Sequence, residues 1–240
     1  MSSQPTVATI TIGQTPRNDV VPALRQALPN STTVVEYGAL DDLSHAEIAA
    51  YSAREGEVGI VTRLRDDSSV LLSHELILPK MQEKVDLAIE RDNADILVIL
   101  CGADWSDLNA SRLIVNPGKL FPAVVSALAA GRKLGVIKPD AGQVEREQQR
   151  YEALGIESAV TSASPYAGPG RLRLANDAAE YLRDERCDLI WMTCVGMDEQ
   201  MRSVVADVTG RPVILAQSLL ARVVAELLPA QVTADSLVAD

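Results

Sequence analysis

The chain has 240 residues, of which 47% are hydrophobic and 23% charged, and a formal net charge of −11. That length allows one large domain or two small ones with ample material for a core, and the composition excludes a disordered chain. The acidic balance argues against nucleic acid or an anionic membrane as a partner, because both need basic surface. No apolar run approaches the roughly 18 residues that span a bilayer. Met1-Ser2-Ser3-Gln4-Pro5 lacks the basic and apolar regions of a secretory signal. Three cysteines do not make a disulfide framework, so a reducing cytoplasm is expected. His45 and His74 stand far from each other and from any cysteine, so no metal site is expected. Gly13 stands alone without a Gly-x-Gly-x-x-Gly pattern, so no dinucleotide fingerprint is present, and no cofactor is expected. A homo-oligomer is left open.

In chain order, residues 7–13 are a β-branched run ending in glycine and read as a strand. Residues 14–19 form the loop after it. Pro16 is expected in the first turn of a helix that continues over 20–28. A strand follows at 33–36, then a short helix from Ser44 to Tyr51, with Ser44 as N-cap and Glu47 at the capping-box position. Residues 59–64 and 69–72 read as a hairpin. An amphipathic helix is expected over 79–91, a strand over 95–100, and a short strand over 113–115. Pro117 opens a helix over 121–130 that stops at Gly131. Beyond it come a strand at 133–137, a charged helix at 143–154, a strand at 158–163 and a helix at 172–186. The last elements are a strand at 188–193, a helix at 198–208, a strand at 212–215, a helix at 218–228, and a frayed tail from Pro229 to Asp240. Strands alternate with helices throughout, which predicts an α/β protein with mainly parallel sheet. The order strand, helix, strand, helix, cysteine strand occurs twice, which suggests two similar lobes joined near 130–132.

Two stretches stand out. Asp95 opens the apolar run that closes on Cys101-Gly102, and Asp188 opens the one that closes on Cys194-Val195-Gly196. A short apolar run bounded by turn residues reads as a fully buried parallel strand, and ligands bind beyond the carboxyl ends of such strands. The space between Cys101 and Cys194 is therefore the expected active site. Glycine lets a ligand approach the backbone, and the amides of the following helix turn would lower a thiol pKa. Two facing thiols suit cofactor-free racemisation or epimerisation: one thiolate removes a proton next to a carboxylate and the other thiol returns one. Nucleophilic attack for cis–trans isomerisation is the other option. Cys187 has no glycine beside it and reads as core.

Arg17 and Arg63 each follow a predicted strand and could clamp a carboxylate; as surface residues they would do nothing special. Gln14 and Thr15 could donate to the substrate or merely cap the next helix. Gln143 holds the matching position of the second half, and Ser164 and Tyr166 end another second-half strand.

The stretches Thr11-Ile12-Gly13-Gln14-Thr15-Pro16-Arg17-Asn18-Asp19, Gly38-Ala39-Leu40-Asp41, Val61-Thr62-Arg63-Leu64, Ser164-Pro165-Tyr166 and 188–196, with the 212–228 end, resemble the AroM family over about residues 6–228. That family is similar in turn to the aspartate/glutamate/hydantoin racemase superfamily. The resemblance implies two pseudo-symmetric Rossmann-like lobes with mainly parallel sheets, each giving one catalytic cysteine. It also implies a final strand and helix that return to the first lobe, hence 1–130 plus 212–240 as first lobe and 131–211 as second. The expected activity is a cofactor-independent isomerase acting at the α-carbon of a small carboxylate. Cys101 and Cys194 would be its acid–base pair, Arg17 and Arg63 its clamp, and the amides of Gly102, Ala103, Val195 and Gly196 its enolate stabilisers. The alternatives are a one-cysteine decarboxylase or lyase on Cys194, and a small-molecule-binding protein without turnover.

Overall fold

A computed structural model describes residues 4–57 and 59–228, so the expected tail at 229–240 lies outside the described residues. The first half contains β1 (Thr6–Thr11), α1 (Val21–Ala27), β2 (Thr33–Gly38), α2 (His45–Ile48), β3 (Ile60–Arg63), β4 (Ser69–Leu72), α3 (His74–Asp92), β5 (Ile96–Ile99), β6 (Leu113–Val115) and α4 (Pro117–Leu128). The second contains β7 (Leu134–Lys138), α5 (Val144–Ala153), β8 (Ser158–Ser162), α6 (Arg171–Asp184), β9 (Leu189–Met192), α7 (Glu199–Thr209), β10 (Val213–Leu215) and α8 (Ala216–Glu226).

Among the described residues the strands form two four-stranded parallel sheets, ordered β2-β1-β5-β6 and β8-β7-β9-β10, and an antiparallel hairpin of β3 and β4. The two orders are the same once β1 is matched to β7 and β5 to β9. The pseudo-symmetry inferred from the repeated layout is thus present strand for strand. All four residues of β5 and of β9 are buried, as expected of central parallel strands covered on both faces.

One expectation needs correcting. Residues 212–240 do not all belong with the first lobe, because β10 pairs with β9 and completes the second sheet as β6 completes the first. Only the helix crosses: α8 packs against α1. The first lobe makes the reciprocal contact, since Phe121 of α4 meets Trp191 of β9 edge-on, with ring centroids 5.1 Å apart. Each edge helix therefore leans on the other lobe. Its apolar stripe would otherwise be open to water, and an aromatic edge contact adds about 0.5–1.5 kcal/mol beyond area burial. The central core that results mixes Val7, Leu24, Phe121, Val136, Trp191 and Leu220. A separate core backs each sheet, around Ile99 and Met81 in the first lobe and around Ile190 and Met201 in the second.

Local chemistry explains most boundaries. The capping box at Ser44 and Glu47 is formed, and the Asp198 side chain accepts from the Met201 amide at 2.9 Å to start α7. Two of the starts that differ from expectation have a visible local cause. Pro16 lies in the loop after β1, following a cis Thr15–Pro16 peptide, and Pro22 occupies the first turn of α1 instead. The long helix begins at His74, because Ser73 caps it by accepting from Leu76, and Pro79 sits inside it. Among the described residues no helix is long and apolar enough to cross a membrane.

Candidate active site

Cys101 lies two residues past the end of β5, and Cys194 two residues past the end of β9. Their surroundings repeat. The Ala103 amide donates to the Cys101 sulfur at 3.5 Å, and the Gly196 amide donates to the Cys194 sulfur at 3.4 Å. The two loops pack together closely: a Cβ placed on Gly102 would stand 3.3 Å from the Thr193 carbonyl oxygen. A cavity of about 690 Å³ opens between the lobes, and both thiols line it, with Gly102, Ala103, Val195, Arg17, Gln143 and Tyr166. The third cysteine, Cys187, is buried in the second-lobe core, as expected from its sequence.

The thiols differ from expectation in their acidity. Burial pushes Cys101 above the ordinary thiol value, and the Ala103 amide and Trp105 offset only part of that. The buried Trp105 indole N–H makes no hydrogen bond of regular geometry among the described residues, so its pull on the thiol is a weak polar contact. Burial likewise pushes Cys194 up, against the lowering effects of the Gly196 amide, the Arg17 charge and the Tyr166 hydroxyl. The loop amides act in the expected direction, but desolvation outweighs them.

Arg17 is the most elaborated side chain at the site. It is 3% exposed, and its Nε and Nη2 donate to the two carboxylate oxygens of Asp19, each at 2.8 Å. Its Nη1 donates to Thr11 Oγ1 at 2.6 Å. Nη2 also reaches across the lobes to the Tyr166 hydroxyl at 3.4 Å, which in turn lies 4.0 Å from the Cys194 sulfur. Burial pulls the Arg17 pKa down, yet Tyr166, Asp19 and Cys194 outweigh it and the guanidinium stays charged. Gly196 makes room for this chain, since a Cβ there would come within 2.5 Å of the Tyr166 hydroxyl oxygen.

The structure does not bring Arg17 and Arg63 together as a clamp. Arg63 pairs with Asp67 across the hairpin turn and does not line the cavity; its charge is felt at Asp19. Gln14 and Thr15 do not line it either. Gln14 donates to the Leu40 carbonyl and accepts from the Arg65 amide, and Thr15 donates to Asp41 from both its amide and its hydroxyl. They tie the β1 loop to its neighbours. Ser164 accepts from the Tyr166 amide at 3.3 Å and so shapes that loop. Gln143 bridges the lobes by donating to the Gly59 carbonyl at 3.0 Å.

Several residues at the site carry no signal in the sequence. Thr62 lines the cavity, and its buried hydroxyl has no hydrogen-bond partner among the described residues. Gln217, a buried amide on the otherwise apolar face of α8, donates to the Asp19 carbonyl at 2.8 Å and to the Val195 carbonyl at 3.0 Å. Lys138, Glu147, Arg146 and Arg150 form a charged wall. Among the described residues no cluster of three His, Cys, Asp or Glu is placed to hold a metal ion.

Residues 7–228 match the AroM protein family. The chain belongs to that family. No curated protein sequence matches this AroM-family chain. Its fold is that of aspartate/glutamate racemases. Glutamate racemase from Francisella tularensis subsp. tularensis SCHU S4, solved with D-glutamate, superposes with a TM-score of 0.59 at 13% identity, covering 94% of this chain and 81% of the other. Picrophilus torridus aspartate racemase gives 0.56 at 13% identity, covering 93% and 94%. Arylmalonate decarboxylase gives 0.53 at 13% identity, covering 95% and 94%.

Proposed function

We propose that this AroM-family protein is a cofactor-independent isomerase that moves a proton at the α-carbon of a small carboxylate, with Cys101 and Cys194 as its acid–base pair. The observation that supports it is the pairing of two thiols at equivalent strand ends, each with an amide of its own loop, on one cavity. In the forward direction one thiolate takes the α-proton and becomes a thiol. The electron pair left on carbon spreads onto the carboxylate as an enediolate. The opposite thiol then delivers its proton to the other face and becomes the thiolate, so each turnover exchanges the protonation states of the pair. Loop backbone around Gly102, Ala103, Val195 and Gly196 would face the developing charge. Tyr166 would act as a positioning residue for Cys194, itself oriented by Arg17. A reducing, cytoplasmic setting goes with this reading, since it requires free thiols.

A racemase of this type exchanges the α-hydrogen with solvent. In D₂O a turned-over chiral carboxylate should carry deuterium at the α-carbon, and either Cys101→Ala or Cys194→Ala should stop racemisation; turnover without exchange would refute proton transfer. A second reading has its own support. Cys194 is the less buried thiol and has the Arg17 and Tyr166 partners, whereas Cys101 is only 8% exposed. A decarboxylase would need one thiol only, to protonate the carbanion left by CO₂ loss. Full activity in Cys101→Ala would favour it.

A further inference from the structure

The cavity is basic inside an acidic protein. Five cations line it, Arg17, Lys119, Lys138, Arg146 and Arg150, against the carboxylates Asp104 and Glu147, while the whole chain carries −11. Two of these charges are already answered. Arg17 is held by Asp19, and Lys119 pairs with Asp104 at 2.8 Å. The rest form a separate group on the second lobe. Glu147 lies between Lys138 at 3.5 Å and Arg150 at 3.1 Å. Arg146, one residue before it on α5, makes no ion pair or hydrogen bond among the described residues. One carboxylate thus faces three cations on a wall of the cavity.

The position of this group relative to the thiols follows from the ladder. Val136 is paired with Trp191, so Lys138 emerges from β7 on the same sheet face as Trp191 and level with Thr193, one residue before Cys194. Trp191 and Tyr151 line the cavity beside it. A ligand with its reacting carbon at Cys194 would lie over Trp191 and meet the cations of α5 at its other end. The volume of about 690 Å³ exceeds the need of a four- or five-carbon acid and falls within the roughly 300–1,000 Å³ of sites for larger ligands.

We infer that the substrate is an elongated dianion, with the reacting carboxylate at the thiols, an apolar body over Trp191 and a distal oxyanion held by Lys138, Arg146 and Arg150. This rests on the reading of the thiol site given above. A guanidinium recognises carboxylate and phosphoryl oxygens with the same forked geometry.

The test uses protection of Cys194 from iodoacetamide, read by mass spectrometry, and so does not require turnover. The probes are phenylacetate, 4-carboxyphenylacetate and 4-phosphonophenylacetate, which share one body and differ in the distal group. The carboxylated probe should protect at about tenfold lower concentration than phenylacetate, the scale of one charge-assisted hydrogen bond. In Arg146→Ala/Arg150→Ala, whose side chains are exposed enough to be removed without disturbing the core, the advantage should fall below about twofold. Arg146→Lys/Arg150→Lys should restore most of it. A larger advantage for the phosphonate would identify the distal group as phosphoryl. Equal protection by phenylacetate and both dianions, or an advantage that persists in the double alanine variant, would overturn the dianion inference while leaving the thiol site intact. Protection by none of the three would overturn the thiol-site reading and this inference with it.

Discussion

Asp19→Asn isolates the most consequential ion pair of the molecule. The Arg17 guanidinium is 3% exposed and the Asp19 carboxylate 11%, with two hydrogen bonds of 2.8 Å between them. Removing one partner of such a pair leaves a desolvated charge and costs about 3–5 kcal/mol. Asparagine keeps one acceptor for Arg17 and Thr11 stays in place, so the lower end, about 3 kcal/mol, is expected. With a urea slope of about 3 kcal/mol/M the midpoint should fall by about 1 M. The pH dependence has a definite sign. Burial raises the Asp19 pKa, but the hydrogen bonds and charge of Arg17 outweigh it and hold the carboxyl below its ordinary value. The stabilisation is therefore complete above the unfolded value of about 3.9 and is lost as pH falls through the folded one. The gap between wild type and Asp19→Asn should be flat from pH 5 to 8 and shrink below pH 4. Arg17→Met/Asp19→Leu, which removes both charges, should recover much of the loss. Equilibrium urea unfolding followed by circular dichroism reads all of this. An Asp19→Asn midpoint within about 0.2 M of wild type at pH 7 would refute the reasoning.

Alkylation of Cys194 should accelerate with pH and reach half its maximum above the free-thiol value of about 8.5, because burial raises that thiol; iodoacetamide rates from pH 6 to 10.5 check this. Tyr166→Phe removes a hydroxyl that favours the thiolate, so the same midpoint should move further up while the urea midpoint changes little. Gly118→Ala would drive a Cβ to 2.2 Å from the Ala103 carbonyl oxygen and 2.5 Å from the Asp104 Cα. It should cost about 1–3 kcal/mol in urea unfolding and change the labelling of Cys101, but not of Cys187.

The sequence made the cysteine strands legible because a buried parallel strand needs an unbroken apolar run and the loop beyond it needs glycine. Those two requirements mark Cys101 and Cys194 and leave Cys187 unmarked. The lobes were legible because the same order of elements recurs. The fate of Arg17 and Arg63 was not. An arginine after a strand reads the same whether it meets a ligand or a carboxylate of its own chain, and Asp19 and Asp67 are found only once the loops have a shape. Gln14 and Thr15 share that ambiguity, because their partners Leu40, Asp41 and Arg65 come from other loops. The placement of β10 depends on which sheet edge is vacant, a property of topology that local pattern does not carry. The basic wall was hidden for a similar reason: Lys138 and the α5 cations look like an ordinary charged helix start until the fold brings them to the cavity that Trp191 also lines.

Gln217 gives the two lobes the construction of a bound book. Its carboxamide has two N–H groups, and each is fastened to a different leaf: one to the loop that carries Arg17 and Asp19, the other to the loop that carries Cys194. With α8 laid along α1, that side is the spine. At the cavity between the leaves, Gln143 holds the Gly59 carbonyl by a hydrogen bond at the base of the hairpin. Parting the leaves at the spine would cost the Asp19 and Val195 carbonyls their shared Gln217 donor, whereas parting them at Gln143 would cost the Gly59 carbonyl one.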